Sequence, residues 1–253
     1  MLLVVDIGNT LIKIGGFVED KLDFTSKIET NVRKTEDQYA IDLRNILLLY
    51  GYEKQDVKEA TISSVVPQVG ENFIKVIKNF YNVNPKVVNS EMELGINIKT
   101  ENPKILGTDL ITGAVATKEK YKLPAIIFGF GTATTITTID KNANLLGCGI
   151  CAGIGTSLEA MATKTAKLPH ITIEHPKNII GTNTIEAMRV GIVYGAVCLL
   201  DGMVEKIEKE IGKIETVIIT GGFAENIYGH TNRKTIYDEN LILDGLKILN
   251  EKN

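Results

Sequence analysis

The first thirteen residues constrain the fold of this chain more than any other segment. An apolar run, Leu2–Val5, leads into the polar segment Asp6–Thr10, and a second apolar stretch follows it. This pattern around a central glycine is typical of a β-hairpin with a polar tip. Gly8 allows the backbone to approach a bulky anion, and Lys13 supplies a positive charge nearby. We therefore predict a phosphate-binding hairpin in which Asp6 holds a cation or a water molecule.

A weaker copy of this hairpin follows about half a chain later. The segment Ala125–Thr138 contains Gly129-Phe-Gly131-Thr132, and the hydroxyl of Thr132 follows a glycine at a strand start, where it can meet a phosphate oxygen. Aligning the two loops places Gly129 where the first loop has its carboxylate. Two such loops, one in each half, predict a duplicated domain that holds a nucleotide between its copies.

The remaining pattern predicts strands and helices in both halves. The expected domains are residues 1–120 and 121–253. Strands are predicted at Leu2–Val5, Leu11–Phe17, Phe24–Ile28, Ala60–Ser64, Val87–Val88, Ala125–Phe128, Thr132–Ile139, Leu145–Cys151 and Val217–Thr220. Helices are predicted at Glu36–Tyr50, Glu71–Asn79, Gly107–Lys120, Ser157–Thr163, Thr184–Ile211 and from about Glu239.

Composition excludes several classes of protein. A net charge of −3 gives no electrostatic reason to expect a nucleic-acid or membrane partner. The opening apolar run, Met1–Val5, is only five residues long and is followed by Asp6, so we expect neither a signal peptide nor a membrane-spanning helix there. Three cysteines, Cys148, Cys151 and Cys198, are too few for a disulfide framework, which favours a cytoplasmic location. We expect them to be small buried apolar residues.

Two further motifs each allow two interpretations. Gly107-Thr108-Asp109-Leu110 places an acid at a helix start, where it could cap the helix or act as a general base for a substrate hydroxyl. Spacing alone cannot choose between these roles. Thr220-Gly221-Gly222 is a strand followed by a glycine pair, which could let the backbone approach an adenine ring or could be an ordinary turn.

An ordered series of motifs along nearly the whole chain resembles the type III pantothenate kinases. The matching segments are Asp6-Ile-Gly-Asn-Thr10 with Lys13, Ser63-Ser-Val-Val-Pro67, Asn102-Pro103, Gly107-Thr-Asp109, Gly131-Thr-Ala-Thr-Thr135, Thr165-Ala-Lys-Leu-Pro169, Ile180-Gly181 with Thr184 and Gly191, and Thr220-Gly-Gly222.

The resemblance implies a fold and an activity. It implies an α/β fold of two similar actin-like (ribonuclease H-like) domains, each a mixed five-stranded sheet flanked by helices, with a nucleotide cleft between them. Members of the family phosphorylate the primary hydroxyl of pantothenate with ATP and Mg²⁺, the first step of coenzyme A biosynthesis. They use a monovalent cation, K⁺ or NH₄⁺, and usually work as homodimers.

The resemblance also implies roles for individual residues. ATP phosphates and adenine would contact Asp6, Gly8, Asn9, Thr10, Lys13, Gly131, Thr132, Gly221 and Gly222. Asp6 would also hold Mg²⁺, and Asp109 would be the proton acceptor. Pantothenate would contact Gly107, Thr108, Asp109, Leu110 and Thr184, the last from the neighbouring subunit.

Four departures from the family pattern affect these roles. The second loop has Gly129 where the family has an aspartate that holds the monovalent cation, and Leu110 replaces the family's arginine. Gly113 and Ala152 replace a usual asparagine and proline. Two alternatives to a pantothenate kinase therefore stand: a catalytically weakened or inactive paralogue with a nucleotide-binding or regulatory role, and a related kinase acting on another small hydroxylated substrate.

Overall fold

Two β-sheets with flanking helices are found in a computed structural model, which describes all residues from 1 to 253. The strands are β1 (Leu2–Ile7), β2 (Leu11–Val18), β3 (Lys21–Glu29), β4 (Glu59–Ser64), β5 (Lys86–Val87), β6 (Asn97–Ile98), β7 (Ala125–Phe130), β8 (Ala133–Ile139), β9 (Asn144–Ala152), β10 (Thr216–Thr220) and β11 (Ile236–Tyr237). The helices are α1 (Glu36–Leu49), α2 (Pro67–Tyr81), α3 (Thr108–Lys120), α4 (Ile154–Lys164), α5 (Thr184–Ile211) and α6 (Leu241–Lys252). The two-residue strands β6 and β11 are too short to leave a periodic signal in the sequence.

The chain divides into two compact units, and their composition differs from the predicted domains at the C-terminus. Met1–Glu119 and Leu241–Asn253 form the first unit, and Lys120–Asn240 forms the second. The sequence predicts α6 in the second domain, but α6 packs against β1 and β4 of the first unit. Asn250 of α6 accepts a hydrogen bond from the buried Thr61 hydroxyl of β4 at 3.0 Å. An amphipathic pattern predicts a helix but does not say which sheet its apolar face covers.

Both units have the same strand arrangement, as a duplication requires. In the first unit the order is β3-β2-β1-β4-β5, with β1 antiparallel to β2 and parallel to β4. The second sheet has six strands in the order β11-β10-β7-β8-β9-β6, so β6 extends the expected five-stranded sheet by one strand. The part β9-β8-β7-β10-β11 repeats the first order, with β7 antiparallel to β8 and parallel to β10. The predicted α/β class with mixed sheets flanked by helices is therefore confirmed. Both predicted hairpins, β1–β2 and β7–β8, are formed.

The central strand of the first unit is buried on both faces. Leu3, Val5 and Ile7 belong to the core that packs against α1 and α2. Val4 belongs to the opposite core, with residues of α3 and α6 such as Ile111. Because side chains alternate along a strand, Asp6 shares the face of Val4, towards α3. The alternation of side-chain direction along β1 thus determines the face on which the Asp6 carboxylate lies.

The core of the second unit lies between β7, β10 and one side of α5. Phe128 and Phe130 of β7 pack with Val193, Val197 and Leu200 of α5. By length and composition alone, α5 is also apolar enough to cross a membrane, with a mean hydropathy of 1.6 in an 18-residue window. Core helices of globular proteins can have the same length and composition. Here one face of α5 contributes to the core, and much of the rest of its surface is uncovered.

The contact between α6 and α3 inside the first unit predicts a stability defect. A Cβ atom at Gly245 would lie 2.3 Å from the Thr112 carbonyl oxygen. We expect Gly245→Ala to lower the free energy of unfolding by about 1–3 kcal/mol, because one backbone must move away from the other. Thermal and urea denaturation would measure this. Gly202→Ala is the control, since nothing lies within 4 Å of that Cβ position and alanine favours a helix. Equal stability of both variants would contradict the predicted close contact.

Candidate active site

The first site carboxylate, Asp6, is flanked by polar residues on both neighbouring strands. In the ladder register Asp6 lies opposite Lys13 of β2 and opposite Ser63 of β4. Residues opposite each other on adjacent strands project to the same face of the sheet. The Ser63 hydroxyl donates a hydrogen bond to the Asp6 carboxylate, and Lys13 interacts with it electrostatically. A cation, a hydroxyl and a carboxylate therefore form a row across the end of the first sheet.

The second carboxylate, Asp109, lies in the first turn of α3. It accepts hydrogen bonds from its own backbone N–H and from that of Leu110. A Cβ atom at Gly107 would lie 2.5 Å from Asp109 Oδ1, so glycine at this position leaves room for the carboxylate to fold over the helix start. Asp109 thus satisfies exposed amides of the helix N-terminus, as a cap residue does, and is also a charged group facing Asp6.

The pKa values of both carboxylates are raised. Burial is the largest effect and, with the nearby Asp109 charge, raises the pKa of Asp6 from 3.8 to about 7. The Ser63 hydrogen bond and the Lys13 charge act in the opposite direction. Burial also raises the pKa of Asp109, against the two backbone hydrogen bonds that lower it. Perturbed carboxylates grouped in this way are typical of sites that bind cations or transfer protons.

The first glycine loop is held by hydrogen bonds from the end of β3. The Gly8 N–H donates to the Leu11 carbonyl at 3.0 Å and closes the turn. The Thr30 hydroxyl donates to the Gly8 carbonyl at 2.7 Å, and the Thr30 N–H donates to the Thr10 carbonyl at 2.9 Å. Loop carbonyl oxygens thus point into the protein, and Asn9 is exposed at the tip. Such a turn leaves its polar tip available to an anion.

The second glycine loop is closed in a similar way but packs more tightly. The Gly131 N–H donates to the Ala133 carbonyl at 3.1 Å, and the Gly153 N–H donates to the Thr132 carbonyl at 3.2 Å. A Cβ atom at Gly153 would lie 2.3 Å from the carbonyl oxygens of Gly131 and Thr132. The Thr156 hydroxyl also donates a hydrogen bond to the Thr132 carbonyl at 2.7 Å. The start of α4 therefore closes directly against this loop.

The glycine pair after β10 packs against the same hairpin. Gly221 has a φ of +101°, and a Cβ atom there would lie 2.5 Å from the Phe130 carbonyl oxygen. The Phe223 N–H donates to that carbonyl at 3.1 Å. A backbone requirement therefore explains Gly221 without any ligand, whereas Gly222 is exposed and has open space around it.

Gly129 occupies the place in the second sheet that Asp6 occupies in the first. It is the penultimate residue of β7 and lies opposite Thr135 of β8 and Thr220 of β10. A Cβ atom at Gly129 would lie 2.6 Å from Thr135 Oγ1, so the threonine hydroxyl fills the space where a longer side chain would begin. The second loop therefore has no carboxylate at position 129, and Thr135 packs into the space that such a side chain would need.

The predicted site residues fall into two groups, one in each unit. Asp6, Lys13 and Asp109 interact within the first unit, and Gly131, Thr132 and Gly221 lie around one hairpin of the second unit. Leu110 is buried, with only 9% of its surface exposed. Thr184 is exposed at the first residue of α5, next to the capping Asn183.

The expectation for the cysteines was wrong. Cys148, Cys151 and Cys198 are all exposed and form no disulfide. The first two lie on the outer part of β9, and Cys198 lies on the uncovered face of α5, where an apolar sequence neighbourhood does not imply burial. No group of three or more histidine, cysteine, aspartate or glutamate side chains is arranged to hold a metal ion.

Ser63 is a site residue that sequence reasoning did not assign. It is fully buried, it contacts Asp6, and its hydroxyl lies 3.0 Å from the Thr108 hydroxyl. The available signal was a polar pair, Ser63-Ser64, at the end of an otherwise apolar strand. Gly153 was likewise missed as a residue that shapes the second loop.

The duplicated sheet, with a glycine loop in each half, has the fold class of the actin-like ATPases and sugar kinases. A solved structure of this class, (R)-2-hydroxyglutaryl-CoA dehydratase component A from Acidaminococcus fermentans, matches with a TM-score of 0.57 and 14% identity, over 97% of this chain and 94% of that one. At that identity the likeness concerns the fold alone.

The family model described as type III pantothenate kinase matches residues 2–206. A type III pantothenate kinase of Finegoldia magna is 43% identical over all of this chain and 98% of its own length. Another, from Halalkalibacterium halodurans, is 38% identical over the full length of both chains. The chain belongs to the type III pantothenate kinase family.

The raised pKa of Asp6 predicts how stability depends on pH. Between pH 3.8 and about 7 the folded protein keeps a proton on Asp6 that the unfolded chain releases. The free energy of unfolding therefore falls as pH rises through this interval. We expect Asp6→Asn to be more stable than the parent at pH 7.5, with the difference shrinking towards pH 4. Urea denaturation at several pH values would measure this.

A second carboxylate provides the control for this pH experiment. Burial by itself would raise the pKa of Asp140, but hydrogen bonds from Asn144 and Asn142 hold it below its usual value. Asp140→Asn should therefore be less stable than the parent at pH 7.5, and this difference should disappear as the pH falls. A stability difference for Asp6→Asn that is the same at every pH would contradict the raised pKa.

Proposed function

We propose that this protein transfers the γ-phosphoryl group of ATP to the primary hydroxyl of pantothenate, which yields 4′-phosphopantothenate for coenzyme A biosynthesis. The observation that carries the proposal is the interacting pair of perturbed carboxylates, Asp6 at the end of β1 and Asp109 at the start of α3. Family membership supplies the substrate, and the carboxylate pair supplies groups suited to phosphoryl transfer.

Each carboxylate has its own task in this mechanism. Asp109 accepts the proton of the attacking hydroxyl, and burial raises its pKa in the direction that makes it a stronger base. Asp6 is an oxygen ligand of the kind that Mg²⁺ prefers, and its burial beside a second carboxylate leaves negative charge that a cation would relieve. When bound, Mg²⁺ neutralises charge on the β- and γ-phosphates. Lys13 adds positive charge next to Asp6.

The glycine loops and the segment before α3 supply the binding contacts. We assign the phosphates to the polar tip of the first hairpin, Gly8, Asn9 and Thr10, and to Gly131 and Thr132 of the second. Gly222 is the residue of the glycine pair whose open surroundings suit an approach to adenine. Pantothenate is assigned to Gly107–Leu110 and Thr184. Since Leu110 is buried and uncharged, it provides no counter-ion for the substrate carboxylate.

The residues of the second loop do not fit the monovalent cation of the family. Gly129 has no side-chain oxygen, and Thr135 Oγ1 occupies the space that such a side chain would enter. We assign no step to K⁺ or NH₄⁺ in this protein.

Replacing the base tests the proposal while leaving the nucleotide site in place. We expect Asp109→Asn to lower kcat by at least about 100-fold, because general base catalysis is lost, and to change ATP affinity only a few-fold. A coupled assay of ADP release and calorimetric titration with ATP would measure the two effects. Glu101→Gln is a matched control, since Glu101 is exposed in the loop before α3. An Asp109→Asn variant as active as the parent would contradict the assignment of the base.

We further propose that the protein is a cytoplasmic homodimer that associates through the uncovered surface of the second unit. Ile150 on β9, Ile179 and Ile180 before α5, and Ile185 on α5 are between 44% and 76% exposed. Three of these four side chains lie within residues 179–185, and large exposed apolar side chains favour association with another apolar surface. Thr184 lies in this region, which suits its assigned role across a dimer.

Light scattering tests the association directly. The protein should have a mass of about twice 27.7 kDa, and Ile180→Glu with Ile185→Glu should shift it to the monomer mass. Leu49→Glu, at a 78% exposed leucine of the first unit, should leave the dimer intact. A monomeric parent, or a double variant that remains dimeric, would contradict this arrangement.

A further inference from the structure

The base of the proposed reaction stands on a helix whose first residue is tied to β4 by hydroxyl groups. Thr108 directly precedes Asp109. Its hydroxyl donates to the Ser64 carbonyl at 3.1 Å and lies 3.0 Å from the Ser63 hydroxyl. The Thr108 carbonyl in turn accepts from the Thr112 hydroxyl at 2.7 Å. The start of α3 is thus fixed to the C-terminal end of β4.

The same point of β4 also holds the other carboxylate. Ser63 is fully buried and lies opposite Asp6 in the parallel ladder, where its hydroxyl contacts the Asp6 side chain. Because Ser63 donates its one hydrogen to Asp6, the one hydrogen of Thr108 is shared between the Ser63 oxygen and the Ser64 carbonyl. Ser63 and Thr108 in this way form a two-hydroxyl bridge that runs from Asp6 of β1 to the residue before Asp109 of α3. The hydrogen of each hydroxyl is thus used within the protein, which leaves the Thr108 hydroxyl none to donate to a substrate.

We propose that the Ser63–Thr108 bridge is a positioning device of the active site, which holds the base Asp109 in register with Asp6. In this role Thr108 acts through Asp109 and does not bind the substrate with its side chain. The inference rests on the proposed phosphoryl transfer. It reassigns Thr108 from the substrate contacts implied by the family resemblance, and it gives Ser63 a function.

Two variants remove the bridge from opposite ends. Thr108→Val is nearly isosteric and removes only the hydroxyl, and Ser63→Ala removes the buried partner. Because displacement of a catalytic group by about 1 Å can cost about 100-fold in rate, we expect each variant to lower kcat by about 10- to 100-fold. The KM for pantothenate should change less than about 2-fold, since no substrate contact is lost. Thr108→Ser keeps the hydroxyl and should keep most of the activity.

A double-mutant cycle shows whether the two hydroxyls act as one unit. If they do, Ser63→Ala combined with Thr108→Val should be no slower than the slower single variant. Thr117→Val is the matched control: Thr117 is buried on the same helix, and its hydroxyl donates to the Gly113 carbonyl away from the site. That variant should leave kcat unchanged, whatever it does to thermal stability.

Several outcomes would overturn the bridge. A Thr108→Val variant with a raised KM for pantothenate and an unchanged kcat would show that Thr108 is a substrate contact. Additive losses in the cycle, or losses of stability without a change in kcat, would show two independent structural hydroxyls. If Ser63→Ala fails to fold, the comparison of Thr108→Val with Thr108→Ser still shows whether the Thr108 hydroxyl is needed for kcat. A parent without turnover overturns the proposed function and the bridge together, whereas an active parent with active variants overturns the bridge alone.

Discussion

The arrangement of the site depends on a carboxylate at the end of a strand that is buried on both faces. Alternate side chains of β1 pack into two different cores, and this alternation places Asp6 on the same face as Val4. A charge in that position is costly unless other groups compensate it, and here Lys13, Ser63 and the protonation of Asp6 itself share that task. Groups of β2, β4 and α3 therefore surround the negative charge of Asp6, which a bound divalent cation would neutralise.

The same strand register surrounds position 6 in the first sheet and position 129 in the second, but the residues at these two places differ in charge. The same register that places Lys13 and Ser63 beside Asp6 places Thr135 and Thr220 beside Gly129. In the first sheet the site holds charged groups, with Lys13 and Asp109 interacting with Asp6. In the second it is small and neutral, with a threonine hydroxyl against the glycine. The charged groups at these matching positions therefore belong to the first unit, and the corresponding positions of the second unit are uncharged.

The sequence predicts the local elements of this fold well because their signals are local. The two apolar stretches of β1 and β2, with Gly8 between them, indicate the hairpin, and the long apolar pattern of Thr184–Ile211 indicates α5. The place of α6 was not predictable, because the Thr61–Asn250 hydrogen bond joins residues 189 positions apart. The exposure of Cys198 was missed for a related reason: apolar neighbours in sequence do not say which face of a helix is covered. Asp6, Lys13 and Asp109 were named from motifs, but the hydroxyl bridge between them depends on the pairing of β1 with β4, which no motif specifies.

The most direct test of the account is to incubate the purified protein with ATP, Mg²⁺ and pantothenate and to identify the product by mass spectrometry and ³¹P NMR. We predict a phosphomonoester on the primary hydroxyl of pantothenate, formed in equal amount to ADP and without any requirement for added K⁺ or NH₄⁺. Binding of ATP without formation of this product would contradict the account and would indicate a nucleotide-binding paralogue of the kinases.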